Sequence, residues 1–408
     1  MAGLNSRTVV VALLIGAAIL AAAWYVAARP MDFRVYYYGA RGVFDGSRPV
    51  YGPTSGLGWP MHYRYPPFFL LLFAPFSWLP LGVSAALWVI LKALVLIVLV
   101  RALHSAMPRQ EGFAVWLVPL LLAGPYVVED FRYGNAQFLV FALTAFSLLL
   151  SPKRPLAAGA ALGLGIAVKV WPLFFLPYLL LRREWKTVQW AAIILVILTL
   201  FPSFYFGFSQ NANLLAEWFN QEFRIQTGQD EIWFPSQSLR GVLMRYMTAV
   251  DYSQVPDSNY PAVNAANLPP ATVRMVWFAM ASAIYAGFLA LVYSRHKKEA
   301  WIDAGLAFCL VALLEPFTQK YALVIILWPA MAAGRLFART PSLISLSIGL
   351  ALIQPLVPGA QAQRFMQALG FDFAAMVVLA VALAWSLRTE PKVVTTFSPL
   401  RHTSLTEQ

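Results

Sequence analysis

Charge is what this sequence has least of. Asp, Glu, Lys and Arg make up 12% of its 408 residues, against about 25% in ordinary globular chains. Apolar residues reach 60%, so the chain cannot cover itself with polar surface and lipid must be its solvent over most of its area. Cysteine is nearly absent. Cys309 stands alone inside an apolar run, which excludes a disulfide framework and argues against a thiolate metal site. Four histidines (His62, His104, His296, His402) lack ligand spacing, and there is no clear Asp-x-Asp pattern, so a metal-independent protein with no cofactor is expected. Solenoid repeats, low-complexity tracts and a soluble domain are also missing. The net charge of +12 is dispersed in small groups between apolar runs, a pattern of membrane topology rather than of nucleic-acid binding.

What remains is an all-α polytopic membrane protein. The first run, residues 9–28, is as long as a transmembrane helix and longer than a signal-peptide core, so it reads as a retained span. Further spans are expected near 81–103, 113–128, 136–150, 156–170, 172–182, 187–207, 272–294, 300–315, 320–336, 341–355 and 371–388, about twelve in all. The stretch 66–80 is too short and proline-rich to cross and reads as interfacial or re-entrant. Lysines and arginines gather in the short loops of one side, which the positive-inside rule makes cytoplasmic. Two long loops, 29–66 and 208–271, then face outward from a single membrane domain over residues 1–390, with a cytoplasmic tail at 391–408. Rich in Trp, Tyr, Asn and Gln, those loops suit a partly ordered surface against the bilayer.

Polar clusters recur at the outer ends of the spans: "DFRVYYYGA" (32–40), "HYRYPP" (62–67), "VEDFRYGNAQ" (128–137), "AVKVWP" (167–172), "WFPSQSLRG" (233–241) and "EPFTQKY" (315–321). Ionisable groups near hydrocarbon usually line a cavity or pair together, so six clusters on one face point to one outward-opening chamber. Each cluster has an ordinary reading too. Asp32 precedes a short helical pattern and fits an N-cap as well as a catalytic carboxylate, with Arg34 and Tyr36 close behind it. Glu129 and Asp130 can pair with Arg132, and Lys169 can snorkel or bind phosphate. Lys320 reads as a local partner of Glu315. Gln237 and Arg240 either order a loop or bind sugar hydroxyls and phosphate. Trp59, Trp171, Trp218 and Trp233 are belt residues or sugar-stacking platforms.

The first-loop Asp with its Tyr-rich helix and "G..PVY", followed by "YRYPPFF", "GNAQ", "VKVWP" and "SQSLRG", resembles glycosyltransferase family 87 over roughly residues 29–325. This is a family of polyprenol-phosphate-mannose-dependent α-1,2-mannosyltransferases. The resemblance implies a GT-C-type helical bundle with its active site at the outer face of a bacterial membrane, a polyprenyl-phosphate-linked sugar donor, and a glycolipid or glycan acceptor. It places the catalytic base on Asp32. Two departures stand out: Ser236 replaces the Asn of "NQSLRG", and "EPFTQKY" replaces a "SP..W.H" pattern, with Lys320 near the lost histidine.

A carboxylate in a partly dehydrated chamber can deprotonate an acceptor hydroxyl, because desolvation raises its pKa toward the useful range. Cations can hold the departing phosphate: Lys320 and Lys169 first, Arg64 and Arg240 next. Glu129, Asp130, Asn135, Gln137, Gln237 and Glu315 complete the expected substrate-binding set. In-line displacement inverts the anomeric centre. The rival reading is a transporter or flippase of lipid-linked or polar substrates, which would more often show matching halves around a midplane site. None is visible here.

Overall fold

The computed structural model describes residues 6–46, 49–52, 61–227, 235–249, 260–295 and 300–389. The tail after 389, together with Trp59 and Trp233, lies outside the described residues. Among the described residues the chain is helical, with no strand.

The first long apolar run forms α1 (Ser6–Ala28), and the chain then bends by 58° into the short amphipathic α2 (Phe33–Phe44). The proline-opened α3 (Pro67–Ser77) matches the expected non-crossing stretch. Its Phe69 and Phe73 pack edge-on to Tyr36 of α2 rather than facing lipid. Then follow α4 (Leu81–Ala106), α5 (Ala114–Tyr133), α6 (Gln137–Leu150) and α7 (Pro155–Val168). A 3₁₀ turn (Trp171–Phe174) leads into α8 (Phe175–Leu181), α9 (Trp185–Leu200) and the single turn α10 (Ser203–Phe206).

The long loop expected over 208–271 contains a full helix, α11 (Phe208–Thr227), and a shorter one, α12 (Leu239–Met247). Helix α11 forms because its polar composition still repeats with helical period. Asn211, Leu214 and Gln221 face the protein, while Phe208, Phe219 and Phe223 face outward. The remainder is α13 (Pro270–Arg295), α14 (Ala300–Leu314), a 3₁₀ segment (Lys320–Ile326), α15 (Leu327–Leu336), α16 (Pro341–Leu356), α17 (Ala360–Leu369) and α18 (Phe371–Thr389).

Five helical stretches are long and apolar enough to cross a membrane: Leu81–Ala106, Ala114–Tyr133, Trp185–Phe206, Pro270–Ser294 and Phe371–Arg388. The bent α1–α2 pair would make a sixth. Other expected spans fall on apolar helices of 10–17 residues, below the ~20 of a full crossing. The runs near 172–182 and 320–336 are not single helices. Each starts as a 3₁₀ turn, the first at Trp171-Pro172, where the proline leaves no backbone N–H.

Helices α14 and α15 are buried all round and form the centre, with α18 and α5 packed against them and α16 packed on α18 and α5. The outer helices keep lipid-facing residues: Leu94 and Val98 on α4, Val196 and Ile197 on α9, Met275 and Phe278 on α13.

Candidate active site

Asp32 lies in the break between α1 and α2 and is 6% exposed. It occupies the N-cap position of α2, but its side chain makes no capping bond. Its backbone is itself helical (φ −60°, ψ −27°), which turns the carboxylate away from the N–H groups of the first turn. The N-cap reading is therefore corrected. Instead Oδ2 accepts a hydrogen bond from Asn135 Nδ2 at 2.7 Å, across 103 residues of sequence. Among the described residues no donor reaches Oδ1.

Asn135 is delivered there by the end of α5. Gly134 closes that helix in the left-handed region (φ 68°), and a Cβ on it would sit 3.0 Å from the Phe33 Cβ. A residue without a side chain is thus needed for both the turn and the approach of α2. The Asn135 Oδ1 accepts from the Gln137 backbone N–H at 2.9 Å and from Lys169 Nζ at 3.3 Å. Lys169 also donates to Gln137 Oε1 at 2.8 Å. So Asp32, Asn135, Gln137 and Lys169 form one network, and the lysine faces inward rather than snorkelling.

Aromatic rings wall this network. Tyr36 shares a 2.7 Å hydroxyl contact with Tyr65 and accepts from the Ala136 N–H at 3.1 Å. Lys169 lies over the rings of Tyr65 (5.5 Å) and Tyr321 (5.9 Å). Burial pushes the Asp32 carboxyl up to about 6, against the Asn135 hydrogen bond and the Lys169 charge, which pull it down.

Other expected site residues lie elsewhere. Glu129 pairs with Arg132 (2.7 Å) on the outside of α5, as the ordinary reading held. Asp130 turns inward, fully buried, to pair with Lys92. Arg64 is bound to Glu222 of α11 through Nε (3.1 Å) and Nη2 (3.0 Å). Lys320 does not pair with Glu315; it donates to Gln354 of α16, because the 3₁₀ turn beginning there sends its side chain away from the end of α14. Arg34 is half-buried on α2. Gln237 serves as a structural tie, donating to the Gln367 carbonyl (2.9 Å) and accepting from the Phe373 N–H (3.4 Å). Its neighbour Ser238 caps α12 through the Gly241 N–H at 3.1 Å. Of the tryptophans, Trp171 is buried and Trp218 donates to the Arg64 carbonyl at 3.2 Å.

Lys92, Tyr65 and Tyr321 were not singled out from the sequence. For Lys92 a signal existed: one ammonium inside "LWVILKALVLIVLV" is an intramembrane ion with no local partner.

An apolar cleft of about 360 Å³ lies beside the network, between α13 and the turn at 170–174. Trp277, Ala281 and Tyr285 form one wall and Val170, Trp171 and Phe174 the other, and Glu315 also lines it. The Arg240 guanidinium sits over Trp277 at 5.5 Å. A second cleft of about 410 Å³ continues along α13 past Leu289 and Tyr293. The Tyr285 hydroxyl, donating to the Phe174 carbonyl at 2.7 Å, divides the two.

Comparison with known proteins adds the family. The model of "Glycosyltransferase family 87" matches residues 63–265. A polyprenol-phosphate-mannose-dependent alpha-(1-2)-phosphatidylinositol mannoside mannosyltransferase of Mycolicibacterium smegmatis is 30% identical over 237 residues, 53% of this chain and 52% of the relative. Its Mycobacterium tuberculosis counterpart is 29% identical over 196 residues, 42% of this chain and 44% of the relative. An alpha-(1->3)-arabinofuranosyltransferase of M. tuberculosis is 27% identical over 179 residues, 38% of this chain and 40% of the relative. The chain thus aligns with about half the length, or less, of the curated relatives it matches. No solved structure matches it. An all-helical, membrane-spanning chain with these matches belongs to glycosyltransferase family 87.

Proposed function

We propose that the protein transfers a sugar, mannose in the first instance, from a polyprenyl-phosphate donor to a glycolipid or glycan acceptor at the outer face of the bacterial membrane. The mannosyltransferase relatives support the donor class, and the arabinofuranosyltransferase relative shows that the same resemblance extends to a pentose. Asp32 precedes the family-matched stretch, so its role is supported by geometry. The observation that carries it is the buried carboxylate fixed by Asn135 through Oδ2, with no donor on Oδ1 among the described residues.

In this mechanism the acceptor hydroxyl binds Oδ1 and gives its proton to Asp32 as its oxygen bonds the anomeric carbon. The bond from that carbon to the phosphate oxygen breaks in line, with inversion, and polyprenyl phosphate leaves carrying the electron pair. Lys169 stabilises the leaving phosphate. Of the two lysines expected to share that role, Lys320 is turned toward α16 instead, and Lys169 keeps it. General-base help of this kind is worth about 10²–10⁴-fold. The prenyl tail lies in the α13 cleft, where Trp277 of the wall also carries the Arg240 guanidinium over its ring. The 16 helical steps from Trp277 to Tyr293 give the two clefts a combined run of about 24 Å.

The test uses purified full-length protein in nanodiscs with radiolabelled polyprenyl-phosphate mannose and a bacterial glycolipid extract. Label covalently transferred to a glycolipid, with release of polyprenyl phosphate, is expected. In proteoliposomes, label that crosses the bilayer while staying on its prenol would support a flippase and overturn this reading.

A further inference from the structure

Lys92 is 0% exposed in the middle of α4, flanked on both sides by apolar turns. Burying an ion pair costs several kcal/mol per charge before the partners attract, and a well-packed apolar pair often does as well. Stability alone therefore gives little reason for a lysine here. What lysine supplies is several N–H donors and a positive charge on one atom. The ammonium donates to the Asp130 carbonyl (2.9 Å) and to the Asn135 carbonyl (2.9 Å), and it forms an ion pair with the Asp130 carboxylate. One turn earlier on the same face, Trp88 Nε1 donates to the Gly134 carbonyl at 2.9 Å. Two α4 side chains thus hold the backbone carbonyls on both sides of the left-handed turn that presents Asn135.

This clamp has a chemical consequence. With its backbone fixed, Asn135 spends its Oδ1 on the Gln137 N–H and Lys169, which leaves Nδ2 to donate to Asp32. We propose that Lys92 is a positioning residue for the transfer reaction, acting through Asn135 to keep the Asp32 carboxylate aimed at the acceptor. The inference rests on Asp32 being the base. Asp32 also feels the Lys92 charge directly and is faced by Asp130 of α5, by Lys169, by Tyr36 of α2, by Tyr65 and by Tyr321, so a change of pH profile must be traced to Asn135 specifically.

A double-mutant cycle does this. The measured quantity is the acid limb of kcat/KM for mannose transfer from polyprenyl-phosphate mannose, by full-length protein in nanodiscs. Asn135→Ala removes a hydrogen bond that favours ionised Asp32, so its limb should move up by about one pH unit. Lys92→Met should move the limb the same way and lower kcat about tenfold to a hundredfold, with donor KM changed less than about threefold. The double variant should show the limb of Asn135→Ala alone, because one effect runs through the other. Lys92→Arg should recover part of the shift. Trp88→Phe leaves the ion pair intact, so it provides the same reading if Lys92→Met does not fold. A wild-type limb in Lys92→Met, or in Trp88→Phe where Lys92→Met does not fold, would overturn the proposal, as would additive shifts in the cycle. Asp32→Asn separates the two levels. If that variant is inactive and the Lys92 or Trp88 variant leaves the limb in place, only the positioning role fails. If it keeps full turnover, both fail.

Discussion

Asp32 has one oxygen held and one available, and that asymmetry rather than its acidity sets what it can do. Lys169 is the cation that shares its network, and it already satisfies two side-chain oxygens, with no carboxylate in hydrogen-bond contact among the described residues. Such an ammonium can exchange amide partners for phosphate. Losing a hydrogen bond to a charged group costs about 1.5–3 kcal/mol. Lys169→Met should therefore raise the donor KM about tenfold to a hundredfold, and the acceptor KM far less, in steady-state transfer assays. Equal changes in both would remove Lys169 from the phosphate site. Much of this cluster was legible in the sequence, since Asp32, Asn135, Gln137 and Lys169 all stand in polar breaks between apolar runs. Lys92 was not, because its partners Asp130 and Asn135 are about 40 residues away and local pattern cannot pair them. Nor could a sequence show which way a side chain turns: Lys320 and Glu315 are five residues apart yet face different neighbours.

Among the helices, α7 packs most extensively against α9, and two glycines explain how. A Cβ at Gly159 would stand 2.4 Å from Trp190 Cβ and 2.8 Å from the Ala191 nitrogen; at Gly163 it would meet the Ala191 carbonyl at 2.8 Å. Their i, i+4 spacing is the small-residue pattern that lets helices meet backbone to backbone in lipid. Gly159→Leu should cost about 1–3 kcal/mol, read as a lowered thermal midpoint in detergent; an unchanged midpoint would mean the two helices do not pack this closely. Helix α13 is the contrasting case, with its Trp277, Ala281 and Tyr285 face open to a cleft. Ala281→Trp should fill that cleft. The expected result is a severalfold higher KM for a long-prenol donor and little change for a short-chain analogue, whereas equal effects on both would place the tail elsewhere. The spacing of apolar runs revealed most helices, but not α11 or the 3₁₀ entries at Trp171 and Lys320. Helix α11 was hidden because its hydropathy is balanced. Its amphipathic period appears only once its inward and outward faces are distinguished.

For the whole molecule, the basic short loops, the lipid-facing helices and the family match describe one membrane-embedded glycosyltransferase-family chain. The proposed outward site fixes the side on which α11 lies, since Arg64 and Tyr63, ahead of α3, are tied to Glu222 and Gln221 of that helix. Ser209→Cys, at an exposed position near the start of α11, should react with a membrane-impermeant thiol reagent on intact cells, while native Cys309 is buried and should stay silent. Labelling only after lysis would invert the topology. The central claim is chemical, and the most direct measurement is the pH dependence of kcat/KM for mannose transfer by wild type and Asp32→Asn side by side. With its carboxyl raised to about 6, wild-type Asp32 takes up a proton as pH falls through that value. The wild-type rate should then drop tenfold per pH unit below it. Asp32→Asn should be slower by at least 10²-fold at every pH and show no such limb. Near-wild-type turnover in Asp32→Asn, with the limb still in place, would contradict the assignment of Asp32 as the base.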